Sequence, residues 1–247
     1  MDAGPEISYY QQDLALVHHL GFGFHADACA PGILKLLEPV QQRQGLVLEL
    51  GCGSGLLTRH LLDAGHRVIA TDASTAMLDL ARQVVGGAEE IRRVALPDDP
   101  LPAADAIVSV GHVLNYLPGQ SSIDRAVVSI AEALRPGGVL AIDLCDLEWG
   151  RARLDAPSAG RVGDDWAIIT EYSVPTPTRF VREMTTFLRN EDGSWRRHDE
   201  RHENVLLDTK LVPALLGAHG VDAQLAPSFG NEELPVGLRT VIGRRAA

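Results

Sequence analysis

The sequence predicts an α/β fold in which helices cover both faces of a doubly wound, mostly parallel sheet. The first observation is a series of short apolar or β-branched segments, whose lengths suit strands buried on both faces. These segments are Leu46–Leu50, Arg67–Thr71, Ile91–Leu96, Ala106–Val110 and Val139–Leu144. The second observation is that amphipathic helical patterns lie between them, and strands alternating with helices form right-handed βαβ units. The expected sheet is therefore Rossmann-like.

Two of the intervening segments show helical spacing most clearly. Residues 77–84 and 123–134 carry apolar side chains at positions i, i+3, i+4 and i+7, which places them on one face of a helix. Before the second segment, Ser121 and Asp124 have the spacing of a capping box. Pro136-Gly137-Gly138 then predicts the end of that helix.

The pattern changes after Asp146, where residues 166–205 are polar and rich in β-forming side chains. Glu191-Asp192-Gly193 contains Asp-Gly, which is a strong signal for a hairpin turn. We therefore expect an antiparallel insert of about three strands after the fifth core strand, preceded by a loop over 151–165.

These patterns divide the chain into four units. An N-terminal segment occupies residues 1–45, the α/β core residues 46–146, the antiparallel insert residues 147–206, and a C-terminal completion of the core residues 207–247. The last unit is expected to contain one helix followed by two strands. Their predicted bounds are Thr209–His219, Val221–Leu225 and Arg239–Gly243.

The composition excludes several function classes. The chain of 247 residues carries 22 Lys and Arg against 33 Asp and Glu, a formal charge of −11, whereas nucleic-acid binders normally present a basic patch. It has no apolar stretch of the ~18 residues that a membrane span needs, and its acidic N-terminus is unlike a signal peptide. Cys29, Cys52 and Cys145 are odd in number and lack metal-ligand spacing, which is typical of a reducing cytosol. We expect a cytoplasmic protein that binds neither nucleic acid nor membrane.

The strongest chemical signal is the glycine-rich segment Gly51-Cys52-Gly53-Ser54-Gly55, which connects the strand Leu46–Leu50 to a helix. Glycines allow a tight turn and let the backbone approach a ligand closely. Because binding crevices of open parallel sheets lie at the carboxyl ends of the strands, this turn is expected to line such a crevice. Asp72 ends the next strand, 17 residues after Gly55, where a carboxylate can accept hydrogen bonds from both hydroxyls of a ribose.

The third glycine comes one residue earlier than in the dinucleotide motif G-x-G-x-x-G, and Glu49 precedes the turn. With ATDASTAML at the second strand and RPGGVLAIDL at the fifth, residues 46–144 resemble the class I S-adenosylmethionine (SAM)-dependent methyltransferases. The resemblance implies that SAM is the cofactor, that residues 1–45 form a helical lid, and that Asp72 holds the ribose. It also implies cofactor contacts from Glu49, Gly51, Gly53, Gly55, Ala73, Met77, Leu96 and Val110.

The expected reaction is transfer of a methyl group to a nitrogen or oxygen atom of a small organic molecule. Such a transfer needs the nucleophile aligned with the methyl carbon, and a base can help by removing a proton. His112, after the fourth strand, is the candidate base because histidine titrates near neutral pH. Two alternatives remain: an NAD-dependent oxidoreductase on a similar fold, and a SAM-binding protein without methyl-transfer activity.

Candidate substrate-binding residues come from three parts of the chain. Tyr116 follows the fourth strand, and Tyr10 and His19 precede the first. In the insert, a period of two places Glu200 and His202 on one face of a strand. Histidines beside a carboxylate could hold a metal, but nothing else in the sequence completes such a site, so no metal is expected.

Overall fold

The computed structural model describes residues 9–247, so residues 1–8 of the expected N-terminal lid lie outside the described residues. The strands are β1 (Leu46–Leu50), β2 (Arg67–Asp72), β3 (Glu90–Arg93), β4 (Ala104–Ser109), β5 (Leu134–Cys145), β6 (Ala159–Val162), β7 (Trp166–Thr176), β8 (Arg179–Arg189), β9 (Trp195–Val205), β10 (Val221–Ala226) and β11 (Leu238–Arg245). The α-helices are α1 (Gln12–Gly21), α2 (Phe24–Gln42), α3 (Leu56–Asp63), α4 (Thr75–Val84), α5 (Gln120–Ala133), α6 (Leu147–Arg151) and α7 (Val212–Ala218). Within this described part, no helix is long and apolar enough to cross a membrane.

The core sheet has seven strands in the order β10-β11-β5-β4-β1-β2-β3. Strands β1 to β5 run parallel to one another, and β11 pairs antiparallel with both β5 and β10. The predicted doubly wound, mostly parallel sheet is therefore confirmed. The strand order switches at β1, because β2 and β3 lie on one side of it and β4 and β5 on the other. At such a switch point the carboxyl ends of the adjacent parallel strands, here β1 and β4, open a crevice.

Helices cover both faces of this sheet and bury two apolar clusters. On one face, Leu37 of α2 packs with Val47 of β1. On the other, Ile130 of α5 packs with the cluster that contains Leu48 of β1. Successive strand residues point to opposite faces, so Val47 and Leu48 belong to different clusters although they are neighbours in sequence. This explains why the strand segments are apolar throughout.

The third strand is shorter than the sequence pattern predicts. It ends at Arg93 instead of Leu96, because its partner strand β2 ends at Asp72, directly opposite Arg93. No strand remains beside the next three residues. Val94 to Leu96 therefore leave the sheet edge and line the crevice.

Two helix starts also differ from the prediction. Helix α5 begins at Gln120, and Asp124 accepts a hydrogen bond from Gln120 Nε2 at 2.8 Å, so the predicted capping box with Ser121 is wrong. The segment predicted as one helix from Thr209 is divided into a 3-10 turn at Thr209–Leu211 and helix α7. Pro213 lies in the first turn of α7, where its missing N–H costs no hydrogen bond.

The insert is an antiparallel sheet in the order β6-β7-β8-β9, so its predicted type and place are confirmed. It has one strand more than expected, because Ala159–Val162 pairs with β7 instead of belonging to a loop. All four residues of β6 are exposed, so no apolar alternation marked this edge strand in the sequence. On the inner face of the insert, Leu14 and Val17 of α1 pack with Ile168 and Met184.

One fully buried side chain connects the core to the insert. Asn115 lies in a 3-10 turn after β4, and its Oδ1 accepts a hydrogen bond from Cys145 N–H at 2.9 Å. Its Nδ2 donates to Cys145 O at 3.1 Å and to Val205 O at 2.5 Å. Cys145 ends β5, where the chain enters the insert, and Val205 ends β9, where the chain leaves it. Asn115 therefore fixes the two ends of the insert next to each other.

Replacing Asn115 with Ala should lower the free energy of unfolding by about 2–4 kcal/mol, because three hydrogen bonds are lost and their buried partners stay unpaired. Urea unfolding followed by circular dichroism measures this change. The matched control is Asn231→Ala at an exposed position, which should change stability by less than about 0.5 kcal/mol. Equal effects of the two substitutions would contradict the role of Asn115.

Candidate active site

A cavity of about 610 Å³ opens at the carboxyl ends of β1, β2 and β4. Its volume lies within the range of roughly 300–1,000 Å³ that is typical of small-molecule sites. The predicted site residues that line it are Tyr10, Gly51, Gly53, Asp72, Ala73, Met77, Leu96, Val110 and Tyr116. The predicted site residues outside its lining are His19, Glu49, Gly55, His112, Glu200 and His202.

The glycine turn at the end of β1 forms one wall of the cavity. Gly53 has a φ of 54°, and a Cβ at this position would meet only the Met77 sulfur, at 3.9 Å. The left-handed backbone, not lack of space, therefore requires glycine here. Gly55 also has a left-handed backbone, with a φ of 85°, and in addition a Cβ there would clash with Val85 at the end of α4. Gly55 thus allows close packing of α3, whereas Gly53 presents its backbone to the cavity.

Asp72 is held in place by backbone donors on both of its carboxylate oxygens. Oδ2 accepts a hydrogen bond from Gly53 N–H at 2.8 Å, and Oδ1 accepts one from Ser74 N–H at 2.8 Å. Burial raises the pKa of this carboxyl group, while the backbone hydrogen bonds act in the opposite direction. Each carboxylate oxygen keeps a second acceptor site. Asp72 can therefore accept hydrogen bonds from two adjacent hydroxyls of a ligand in the cavity.

Glu49 lies behind the glycine turn instead of in the cavity wall. It is only 2% exposed, and its Oε2 accepts a hydrogen bond from the Thr58 hydroxyl at 2.6 Å. Burial raises the pKa of Glu49 to about 7, an effect that the hydrogen bond from Thr58 partly opposes. Glu49 therefore connects β1 to α3 and is partly protonated near neutral pH.

Between the cavity and the insert lies a polar–aromatic cluster. Its members are Tyr9, Tyr10, His18, His112, Tyr116, Trp149 and His202. The ring centroids of Tyr9 and His202 are 4.7 Å apart, and the hydroxyls of Tyr10 and Tyr116 are 2.9 Å apart. Because both Tyr10 and Tyr116 line the cavity, the cluster forms its wall on the side of the insert.

Several buried polar atoms of this region have no hydrogen-bond partner among residues 9–247. They are Nδ1 of His18, His112 and His202, Nε1 of Trp149, Nε of Arg182 and Nδ2 of Asn204. Buried polar atoms are normally paired with protein groups or ordered water. A concentration of unpaired donors and acceptors beside an open cavity therefore indicates a site that binds a polar molecule.

His112 stacks on Tyr116, with ring centroids 5.7 Å apart and an interplanar angle of 17°. Its backbone is left-handed, with a φ of 49°, and its N–H donates to Asp143 Oδ1 at 2.6 Å. Burial lowers the pKa of His112 to about 3. The ring is therefore neutral at neutral pH, lies one layer behind Tyr116, and has an unpaired Nδ1.

The remaining predicted substrate residues are placed differently from one another. Glu200 and His202 lie on the inner face of β9, and the Glu200 carboxylate is 3.0 Å from His202 Nε2. Glu200 also accepts a hydrogen bond from Gln11 N–H at 2.9 Å, so it connects β9 to the start of α1. His19 points away from the cluster, and its Nδ1 lies 2.9 Å from the Ser54 hydroxyl. Within the described residues, no three side chains of the metal-binding types converge on one point.

Three residues of the site were not anticipated from the sequence. His18 lines the cavity next to Tyr10, and burial lowers its pKa to about 4. Asp143, at the end of β5, is fully buried and accepts hydrogen bonds from the N–H groups of Gly111 and His112. Arg182 of β8 donates a hydrogen bond to the Tyr116 hydroxyl.

Two of these residues had a local signal in the sequence. Phe180, Met184 and Leu188 are the apolar inner-face residues of β8, and Arg182 interrupts them with a charge. A charged residue at an apolar position of a period-two pattern is a signal for a functional site. Asp143 likewise interrupts the apolar segment Val139–Leu144 with a charge. His18 had no such signal, because its role arises from the packing of α1 beside the crevice.

The cavity fits an adenosyl group. Asp72 supplies acceptors suited to two adjacent sugar hydroxyls. Gly53 has no side chain, so a ligand in the cavity can approach its backbone closely. Met77, Leu96 and Val110 add an apolar lining suited to a flat base and a thioether chain.

Comparisons with known proteins agree with this geometry. Residues 47–138 match a family model described as a methyltransferase domain. An uncharacterized methyltransferase of Mycobacterium bovis is 33% identical over 171 residues, which are 64% of each chain. The structure of DesVI from Streptomyces venezuelae covers 96% of this chain and 100% of its own, with a TM-score of 0.78 and 21% identity. The sugar N-methyltransferase KedS8 from Streptoalloteichus sp. covers 100% and 99%, with a TM-score of 0.78 and 19% identity.

The raised pKa of Glu49 predicts a pH dependence of stability. Between the unfolded value of 4.5 and the folded value of about 7, the folded state binds more protons, so this contribution to stability decreases as the pH rises through that range. Glu49→Gln keeps an acceptor for Thr58 but cannot ionise. Between pH 5 and pH 8, the unfolding free energy of the wild type should therefore fall by roughly 3 kcal/mol more than that of the variant.

Urea unfolding at the two pH values measures this difference. Glu38→Gln, at an exposed position of α2, is the matched control and should keep the pH dependence of the wild type. A Glu49→Gln variant whose pH dependence equals that of the wild type would refute the protonation of Glu49 in the folded state.

Proposed function

Because this chain is a class I SAM-dependent methyltransferase, we propose that it methylates a nitrogen or oxygen atom of a small organic molecule held between the core sheet and the insert. The observation that carries this proposal is the polar–aromatic cluster beside the cavity, with its unpaired buried polar atoms. Nitrogen and oxygen acceptors carry hydrogen-bonding groups that can pair with these buried polar atoms. The cluster is enclosed by the insert, which suits a molecule small enough to be surrounded.

The cofactor half of the site is assigned to the glycine turn and the strand ends. Gly53 and Asp72 would hold the sugar side of SAM, while Met77, Leu96 and Val110 would surround its base. When bound, SAM supplies an electrophilic methyl group on a sulfonium. The task of the chain is then to position an acceptor atom in line with that methyl group, and positioning of this kind can supply ~7–11 kcal/mol of a reaction barrier.

The acceptor half of the site is assigned to the cluster. His112 and His18 are neutral at neutral pH because burial lowers both pKa values, and each has an unpaired Nδ1. A neutral imidazole nitrogen can accept a hydrogen bond from an amine or hydroxyl and take its proton. We assign positioning of the acceptor to Tyr10 and Tyr116, and the role of base to His112, which the acceptor reaches when the Tyr116 ring stacked on it moves aside.

Three further features support a small acceptor in the cytoplasm. The formal charge of −11 disfavours a nucleic-acid acceptor. Cys29, Cys52 and Cys145 are buried and form no disulfide, as is usual in a reducing compartment. KedS8, which shares this architecture, is described as a sugar N-methyltransferase, so the fold accommodates small polar acceptors.

The cofactor assignment predicts the result of titration calorimetry. Wild-type protein should bind SAM, and Asp72→Ala should weaken that binding by about tenfold or more, because charge-assisted hydrogen bonds to a buried sugar are worth ~1–3 kcal/mol. Asp79→Ala, at an exposed position on α4, is the matched control and should bind SAM like the wild type. Binding of NADH without binding of SAM would favour the oxidoreductase alternative. Unchanged affinity of Asp72→Ala would refute the placement of the ribose.

The base assignment predicts a selective loss of turnover. In a panel of amine and alcohol acceptors with mass-spectrometric detection of S-adenosylhomocysteine, His112→Ala should lower turnover by about 100-fold, while SAM affinity stays within a few fold. His219→Ala, at the end of α7, is the matched control and should keep wild-type turnover. Wild-type turnover in His112→Ala would exclude this base. No product from any acceptor would favour a SAM-binding protein without transfer activity.

A further inference from the structure

Arg182 carries a positive charge without a matching carboxylate among the described residues. It lies on the inner face of β8, directly opposite His202 of β9. Its Nη2 donates to the Tyr116 hydroxyl and, at 3.4 Å, to Asn204 Oδ1. The guanidinium also lies over the Tyr116 ring, 5.6 Å from its centroid. All these partners are uncharged.

Several other arginines of the insert are paired with a carboxylate. Arg179 lies 3.5 Å from the Glu203 carboxylate, and Arg196 lies 2.9 Å from that of Asp13. Within residues 9–247, no carboxylate lies within 4.0 Å of Arg182, and its Nε is buried without a partner. A buried cation without a counter-ion is costly, and a guanidinium that lacks one is suited to receive an anion.

The two acidic groups that contact histidines of the cluster are already occupied. Both oxygens of Glu200 are used, by Gln11 N–H and by His202 Nε2. The Asp143 carboxylate accepts hydrogen bonds from Gly111 and His112 and contacts His25. Neither group is therefore free to turn toward Arg182.

We infer that Arg182 binds an anionic group, a carboxylate or a phosphate, on the acceptor molecule. The inference rests on the proposed function, since it assigns the substrate class of the same site. Tyr116 lines the cavity and touches the guanidinium, so an acceptor that displaces this contact can reach both the cavity and Arg182. A planar guanidinium pairs with two oxygens of a carboxylate or phosphate at once. The anionic group would thus orient the acceptor, with its nucleophilic nitrogen or oxygen directed toward the cavity.

Titration calorimetry on the full chain saturated with S-adenosylhomocysteine tests this inference with simple probes. Benzoate and phenyl phosphate are the anionic probes, and benzamide is the neutral probe of the same shape. The wild type should bind at least one anion about tenfold or more tightly than benzamide, as expected for a charge-assisted hydrogen bond. The anion that binds more tightly identifies which group the acceptor carries. Because the chain carries a net charge of −11, general attraction cannot produce this preference.

Variants separate Arg182 from other positive charges. Arg182→Met should remove the preference, and Arg182→Lys should retain part of it because it keeps the charge. Arg197→Met removes an exposed arginine of β9, which pairs with Asp199, and should keep the wild-type preference. Binding of S-adenosylhomocysteine shows in each case that the variant is folded.

Two results would overturn the inference. One is a wild type that does not prefer either anion, including a wild type that binds none of the probes. The other is an Arg182→Met variant that keeps the preference. Either result would leave the proposed function intact if the wild type still forms S-adenosylhomocysteine with uncharged acceptors, whereas absence of that product would remove the proposed function itself.

Discussion

The hydrogen bonds of Asn115 determine where the two halves of the site meet. This one side chain joins the turn after β4 to the end of β5 and to the end of β9. Because it is fully buried, its donors and acceptor must be satisfied within the protein. The insert therefore starts and ends beside the carboxyl edge of the core sheet. Its inner face has no other place to pack than over the crevice and α1.

The two halves of the site have different physical characters. The cofactor half is built from backbone and one carboxylate, so its geometry is rigid and depends on the strand-to-helix turn at Gly53. The acceptor half is built from side chains of α1, the turn after β4, and the insert. Its rings are neutral, and Arg182 supplies the positive charge. This division allows one sheet to keep its cofactor while the insert determines the acceptor.

The placement of the proposed cofactor residues at the crevice could be predicted because they are close in sequence. Gly51, Gly53 and Asp72 follow two adjacent strands, and parallel pairing of β1 with β2 brings their ends together in any fold of this class. The same locality explains why the insert was recognised, since a polar period of two and an Asp-Gly turn need no distant information. Edge elements such as β6 escaped because exposure on both faces leaves no apolar pattern.

The acceptor half could be predicted only in part. The period of two placed Glu200 and His202 on one face of β9, but it could not show that Arg182 lies beside His202, which depends on the pairing register of β8 and β9. Which of His18 and His19 lines the cavity depends on the rotation of α1, which is set by contacts of Leu14 and Val17 with the insert. Asp143 interrupts an apolar strand with a charge, but its partners Gly111 and His112 lie in the turn after β4, which the sequence could not pair with it. Contacts between distant segments determine each of these placements.

A crystal structure of the full chain with S-adenosylhomocysteine tests the central claim most directly. That claim is that the crevice holds the cofactor with its reactive sulfur facing the polar–aromatic cluster. The expected electron density shows both ribose hydroxyls in contact with Asp72 and the sulfur on the side of Tyr116 and His18. A ribose remote from Asp72, or a sulfur directed away from the insert, would contradict it.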